Sequence, residues 1–264
     1  MYWLRLNCAP EAVDHLSGRL WELGTAGIRE LQHGDRTILI ANFETTEARA
    51  DSVVRFREYE AEWGHEEDID WVCRTQTAWP PREVGQRLYL AAPWSTEATP
   101  LGRERVIHNP GAACGTGEHP CSQLALQALE KCVSPGSRVA DIGTGSGLLA
   151  IAARRLGAPH AFGVDRDRAA LATAKRNFEL NALSPELVVG SADCLAHGCA
   201  EVTVANINAT VLLAILSDLI EITRKGGWLI LTGFTEAELV PFRDMFPDAE
   251  VSEIEEWRCV TLRV

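Results

Sequence analysis

Closely spaced cysteine pairs are missing from this chain. Its eight cysteines, at positions 8, 73, 114, 121, 132, 194, 199 and 259, include no Cys-x-x-Cys pair. Metal fingers need paired ligands, and disulfide scaffolds are short secreted chains, so reduced thiols in a cytoplasmic protein are expected, with no metal. Long apolar runs are missing too. None approaches the roughly 20 residues needed to span a bilayer, and Met1-Tyr2-Trp3-Leu4-Arg5-Leu6 lacks the charged segment and apolar core of a signal peptide. No membrane partner is expected, and no internal repeat or low-complexity tract stands out. Positive charge is scarce: 25 Lys and Arg stand against 37 Asp and Glu, for a net charge of −12. Such a surface repels phosphate backbones, which argues against a nucleic acid as the main substrate. It attracts and orients a Lys-rich protein, or it simply keeps the chain soluble. What is present is a globular balance, 46% hydrophobic and 23% charged, in a length that suits one large domain or two ordinary ones.

Residues 1–63 read as a small α+β module. Tyr2 to Leu6 predicts a strand. Glu11 to Leu23 carries Val13, Leu16, Leu20 and Leu23 at helical spacing and stops at Gly24. Ile28 to Leu31 and Thr37 to Ala41 are short strands joined by the turn His33-Gly34-Asp35. A second helix is expected over Glu44 to Glu58, and a last strand over Tyr59 to Trp63. Strand-helix-strand-strand-helix-strand is the order of a ferredoxin-like split βαβ unit. From 64 to 95 the pattern loosens. The acidic Glu66-Glu67-Asp68 and the breakers Pro80 and Pro81 predict a surface linker, pinned by Trp71, Trp79 and Trp94.

The third part, 96–264, alternates strand and helix. Strands are expected at Arg138 to Ile142, Ala161 to Asp165, Leu187 to Val189, Val202 to Ala205 and Trp228 to Thr232. Helices are expected at Leu148 to Leu156, Asp167 to Leu180 and Thr210 to Thr223. That alternation builds a parallel sheet with right-handed crossovers and helices on both faces. Glu250 to Glu255 and Arg258 to Val264 then read as an antiparallel hairpin closing a Rossmann-like seven-stranded sheet.

A doubly wound sheet binds its ligand where the first strand turns into its helix. Here that turn is Asp141-Ile142-Gly143-Thr144-Gly145-Ser146-Gly147. Gly143, Gly145 and Gly147 remove Cβ atoms where the backbone bends sharply and approaches a ligand. Asp165, 22 residues after Gly143, ends the second strand where a carboxylate meets a ribose diol. The strand, the helix and the acid together satisfy the context that a bare G-x-G lacks. A nicotinamide dinucleotide competes for this reading. Its fingerprint, however, is G-x-G-x-x-G gripping a pyrophosphate, whereas this loop runs G-x-G-x-G. Asp141, two residues before the first glycine, suits a cationic ligand group better than a pyrophosphate. Asp193, just after the third strand, is either an adenine contact or a solvated loop aspartate.

Two more segments narrow the choice: Gly111-Ala112-Ala113-Cys114-Gly115-Thr116-Gly117-Glu118-His119-Pro120-Cys121-Ser122, before the first strand, and Val204-Ala205-Asn206-Ile207-Asn208, ending the fourth. With the glycine loop they resemble the ribosomal protein L11 methyltransferases, class I S-adenosylmethionine-dependent enzymes with a seven-stranded sheet. That family carries a G-T-G-x-H-x-T-T segment, a D-x-G-x-G-S-G-x-L-A-I-A-A loop and V-A-N-[IL]. The resemblance is firm over about 100–233 and looser over the N-terminal module, which in that family recognises the L11 substrate. It implies S-adenosylmethionine as cofactor, with Ser122 (at the second Thr of the T-T pair), Gly143, Asp165 and Asn206 at the family's cofactor contacts, and the loop reading adds Asp141, Gly145, Gly147 and, as one of its two alternatives, Asp193. Thr116 and His119 fall in the loop that would cover it. Asn206 would lie at the transferred methyl and orient the incoming amine. His119 is either a general base or, preferably, a loop-shaping hydrogen-bond partner.

The implied acceptor is an amine of ribosomal protein L11, a lysine side chain or the N-terminal α-amine, with no nucleic-acid substrate. Cys114, where Phe or Leu is usual, and Cys121, in place of the first Thr, depart from the pattern. So does the linker motif D-W-x-x-x-W, which starts at Asp70-Trp71 but meets Thr75 at its second Trp. Competing readings are a relative acting on another protein lysine or a small amine, a nicotinamide-dependent oxidoreductase, and a cofactor-binding module without catalysis.

Overall fold

The structure, a computed structural model, describes residues 2–34, 36–43, 45–46, 52–53, 55–65, 79–109 and 117–264. Two compact units share the chain, Met1–Thr77 and Ala78–Val264. Among the described residues no helix is long and apolar enough to cross a membrane. The six described cysteines (8, 121, 132, 194, 199 and 259) are free thiols.

In the first unit β1 (Tyr2–Cys8) alternates, burying Leu4, Leu6 and Cys8. A single 3-10 turn, Pro10–Ala12, leads into α1 (Val13–Glu22), whose Leu16 and Leu20 are buried at the expected helical spacing. The helix stops at Gly24, which takes the left-handed φ of 80° that a helix end favours. β2 (Gly27–His33) and β3 (Arg36–Phe43) are longer than the apolar runs alone suggest, because hairpin pairing continues to His33–Arg36. β4 (Glu62–His65) begins three residues later than expected. A 3-10 turn at Arg57–Tyr59 and a left-handed Glu60 (φ 53°) occupy its predicted start. Seven of the fifteen residues of the helix expected over 44–58 lie outside the described residues, and Phe56 is buried in the core. The sheet order is β2-β3-β1-β4, with every pair antiparallel. This is the ferredoxin-like topology.

Part of the predicted linker is not linker. Trp71 and the rest of 66–78 lie outside the described residues, but β5 (Arg82–Val84), β6 (Leu88–Ala91) and β7 (Glu104–Ile107) form a three-stranded sheet in the second unit. Val84, Leu88, Leu90 and Val106 join that unit's core. The apolar run Leu88-Tyr89-Leu90-Ala91-Ala92 is what drives them inward. The Glu130 carboxylate fixes the β5–β6 turn by accepting the backbone N–H groups of Gln86, Arg87 and Leu88 at 2.9–3.1 Å.

The second unit continues with α2 (Pro120–Cys132), β8 (Arg138–Ile142), α3 (Leu148–Arg155), β9 (His160–Asp165), α4 (Arg168–Leu180), β10 (Glu186–Val189) and β11 (Ala200–Asn206). After these come α5 (Ala209–Ala214), α6 (Leu216–Ile222), β12 (Thr223–Thr235), α7 (Val240–Met245), β13 (Glu250–Ile254) and β14 (Trp257–Arg263). The seven-stranded sheet has order β10-β9-β8-β11-β12-β14-β13. Pairing is parallel from β10 to β12, and β14 runs antiparallel between β12 and β13. Leu124, Ile151 and Phe178 pack α2, α3 and α4 into one core cluster, while Leu212, Leu219 and Phe242 pack α5, α6 and α7 into a second. The helix expected over Thr210 to Thr223 is two helices, broken at Ile215 (φ −112°, ψ 13°). No proline or glycine marks that break. It lets Leu212 before the bend, and Leu216, Leu219 and Ile222 after it, all reach the core.

Candidate active site

The C-terminal ends of β8, β9 and β11 bring the sequence candidates together. β8 runs into the glycine loop, where Gly143, Gly145 and Gly147 have φ of 75°, 54° and 83°. A Cβ at Gly143 would lie 2.5 Å from the Ile207 side chain, and one at Gly147 would lie 3.3 Å from the Ala174 backbone. Conformation and space therefore both require glycine there. The loop is braced from below by Asp141, whose Oδ2 accepts the Thr144 hydroxyl (2.7 Å) and the Ala150 N–H (3.0 Å). Its Oδ1 is buried without a partner among the described residues. Burial pushes this carboxyl up to about 7, against the two hydrogen bonds that pull it down. A buried acceptor left without a donor is costly, and a ligand ammonium would satisfy it.

Asp165 is half-buried at the end of β9. Its Oδ2 accepts the Gly145 N–H and its Oδ1 the Asp167 N–H, both at 2.9 Å. Each oxygen keeps a further lone pair for a ligand. Asn206 ends β11, and its Nδ2 donates to the Ser122 hydroxyl at 3.4 Å, a long bond between residues 84 apart. Ser122 is buried in the first turn of α2. His119 is the N-cap of that helix: its Nδ1 accepts the Cys121 N–H at 3.3 Å, and its ring packs edge-on against Trp257 with centroids 4.5 Å apart. Asp193 is exposed in the 3-10 turn Ala192–Cys194 and is not drawn into contact with the glycine loop. Thr116 lies outside the described residues.

Three features escaped sequence reasoning. Asn177 on α4 and Asn181 at its C-cap staple the exit of β7 to the glycine loop. Asn177 Nδ2 donates to the Ser146 carbonyl (2.8 Å) and the Asn109 carbonyl (3.0 Å), while its Oδ1 accepts the Asn109 N–H (3.0 Å). Asn181 exchanges two bonds with the Ile107 backbone, at 2.6 and 2.9 Å. Buried His108 stands between Ser146 Oγ and Asn177 Nδ2, at 3.5 and 3.4 Å. The available signal was two asparagines on the apolar stripe of Leu171, Ala174 and Phe178. Second, the Glu118 carboxylate binds Trp79 Nε1 (3.1 Å) and the Arg82 guanidinium, anchoring the segment that carries Ser122. Third, a bulge in β12 at Gly233 (φ 101°) accommodates the turn after Asn206. A Cβ there would fall 2.4 Å from the Ile207 carbonyl oxygen.

A family model for ribosomal protein L11 methyltransferase (PrmA) matches residues 35–264. The chain belongs to the ribosomal protein L11 methyltransferase family. A member from Symbiobacterium thermophilum is 36% identical over 183 residues, 69% of this chain and 60% of that protein. One from Clostridium perfringens is 30% identical over 261 residues, 90% of this chain and 83% of that protein. Among solved structures, a ribosomal protein L11 methylase from Lactobacillus delbrueckii subsp. bulgaricus aligns with TM-score 0.64 and 26% identity, covering 70% of this chain and 99% of that one. A 16S rRNA N2 G1207 methyltransferase from T. thermophilus shares the fold at TM-score 0.53 and 18% identity. The Rossmann-like L11 methyltransferase fold thus stands as expected. The family's first Thr of the T-T pair, here Cys121, is buried and turned toward Thr232 and Gly233, so this departure lies beneath the site rather than in it.

Proposed function

We propose that the chain transfers methyl groups from S-adenosylmethionine to amino groups of ribosomal protein L11, on lysine side chains, the N-terminal α-amine or both. The observation that carries this reading is the meeting of Asn206 with Ser122 beside the glycine loop, since these residues come from the family's separate signatures. The residues fit the cofactor. Gly143, Gly145 and Gly147 leave its path open, Asp165 offers lone pairs to a ribose diol, and the unpartnered Asp141 oxygen suits the methionine ammonium. Asp193, exposed after β10, is the proposed contact to adenine, and Ser122, with Thr116 by family resemblance, completes the proposed set. When bound, this cofactor supplies an electrophilic methyl on a sulfonium.

The chain's own residues orient the acceptor and exclude water. With Asn206 Nδ2 engaged by Ser122, its Oδ1 remains to accept an N–H of the incoming amine. An amine with an ordinary pKa near about 10 must first lose a proton, and a dry pocket favours its neutral form. His119 Nδ1 is taken by its helix cap, and His119 is given no proton transfer. Residues 1–63 are proposed to recognise the acceptor, and the cytoplasm is the proposed location. Incubating the enzyme and tritiated cofactor with ribosomal proteins from cells lacking it tests the assignment. Label should enter L11. Label in other proteins alone would transfer the reading to a different lysine acceptor, and NADH binding without S-adenosylhomocysteine binding in calorimetry would end it.

A further inference from the structure

At the opposite end of the seven-stranded sheet from the glycine loop, the starts of β11 and β12 and the end of β14 enclose a cleft of about 280 Å³. Arg224, Lys225 and Arg263 line it, with Ser134, Ser137 and Trp228. Its only carboxylate, Glu201, is already engaged. Arg138 grips it with two guanidinium bonds at 3.0 and 3.1 Å and a backbone N–H at 2.8 Å, which hold it down at about 2. Arg224 reaches the same carboxylate at 3.4 Å, with its side chain 66% exposed. Among the described residues no carboxylate lies within ion-pair distance of Lys225 or Arg263. The Arg263 guanidinium lies over the Trp228 ring, 3.8 Å from its centroid, and donates to the Gly226 carbonyl. Stacking holds that fork in place beside the turn at Gly226, where the left-handed backbone (φ 76°) leaves open space. Three cations therefore line a cleft whose one lining carboxylate is already held by Arg138, in a chain whose net charge is −12.

We propose that this cleft binds a phosphate ester, carried by an RNA strand or by a free nucleotide. Guanidinium forks match the paired oxygens of a phosphate, an ammonium adds a strongly hydrated point charge, and two serine hydroxyls can donate to the remaining oxygens. The acidity of the whole chain disfavours phosphates elsewhere on its surface, so a local excess of positive charge singles this cleft out. It lies at the wrong end of the strands for the methyl-transfer site, and its ligand is an anchor or effector rather than the methyl acceptor. The inference does not depend on which acceptor is methylated.

The full chain is titrated with a fluorescein-labelled eight-nucleotide RNA by anisotropy at 50 and 200 mM salt, with ATP and inorganic phosphate as competitors and polyglutamate as a control. Three phosphate contacts predict that binding weakens about 20-fold over that range. In the double variant Arg224→Gln/Lys225→Gln, one remaining contact predicts only about threefold. Methyl transfer to the protein acceptor should be unchanged in that variant. Affinity that grows with strand length assigns the phosphate to RNA; ATP binding no weaker than RNA assigns it to a nucleotide. No binding of RNA, ATP or phosphate overturns the proposal, as does equal binding of polyglutamate or a salt dependence that the double substitution leaves untouched.

Discussion

At the scale of single residues, Asp141 links the loop to pH. Burial raises its carboxyl from 3.8 to about 7, so the folded chain holds a proton that the unfolded chain has released across that window. The stability this confers is complete below the unfolded value and is lost as pH rises through the folded one, at no more than about 1.4 kcal/mol per pH unit. The melting temperature of the ligand-free protein should therefore fall between pH 5 and 7.5, and in Asp141→Asn this slope should flatten. A bound ammonium prefers the ionised carboxylate, so S-adenosylhomocysteine should bind more tightly as pH rises through about 7, releasing a proton that calorimetry in two buffers detects. Affinity flat with pH in the wild type would show that Asp141 only braces the loop. His119 offers the opposite test. As an N-cap it should cost about 1 kcal/mol of stability when replaced by Ala, with the pH profile of kcat unmoved. A pH profile altered by the substitution would restore it as a general base.

At the scale of elements, α4 is a positioning device as well as a crossover. Asn177→Ala strips partners from the Ser146 carbonyl and from both backbone groups of Asn109, all beside the glycine loop. Unpaired buried polar groups cost about 1–3 kcal/mol each. Partial relaxation should leave a net loss of about 3 kcal/mol in urea unfolding and weaken cofactor affinity in parallel. Unfolding unchanged within about 0.5 kcal/mol would mean that water replaces the amide. This staple also shows where sequence reading stops. The glycine loop and Asp165 were legible because local conformation and strand order fix them: φ near +75° at Gly143 admits little else, and a strand end admits one place for its acid. Asn206 was legible only through its resemblance to the family's V-A-N-[IL] motif. The Asn177 and Asn181 bonds join residues 68 to 74 apart, and polar residues on an apolar stripe do not announce their partners. The β12 bulge was equally hidden, since Gly233 looks like any strand glycine until the Ile207 backbone is set against it. In the first unit, strands were readable from alternation in β1 and β3. β4 was misplaced because the turn at Arg57–Tyr59 carries no glycine or proline.

At the scale of the whole molecule, each unit has its own core. The cluster of Leu4, Leu16, Leu39 and Phe56 lies wholly within the first, and both clusters around the seven-stranded sheet lie wholly within the second. Because β5 and β6 belong to the second unit, residues 82–91 of the stretch expected as linker are sheet of that unit. Separate cores mean that removing residues 1–65 leaves both core clusters of the second unit whole. The truncated chain should unfold cooperatively and bind S-adenosylhomocysteine within about threefold of the full chain, a difference of less than about 1 kcal/mol. Methyl transfer to the protein acceptor depends on holding that acceptor, so kcat/KM for it should drop at least about tenfold, whereas a small free amine, which needs no docking, should react as before. Equal loss with both acceptors would place the first unit's contribution in the chemistry itself. No loss with either would move acceptor recognition into the second unit, next to Asn206.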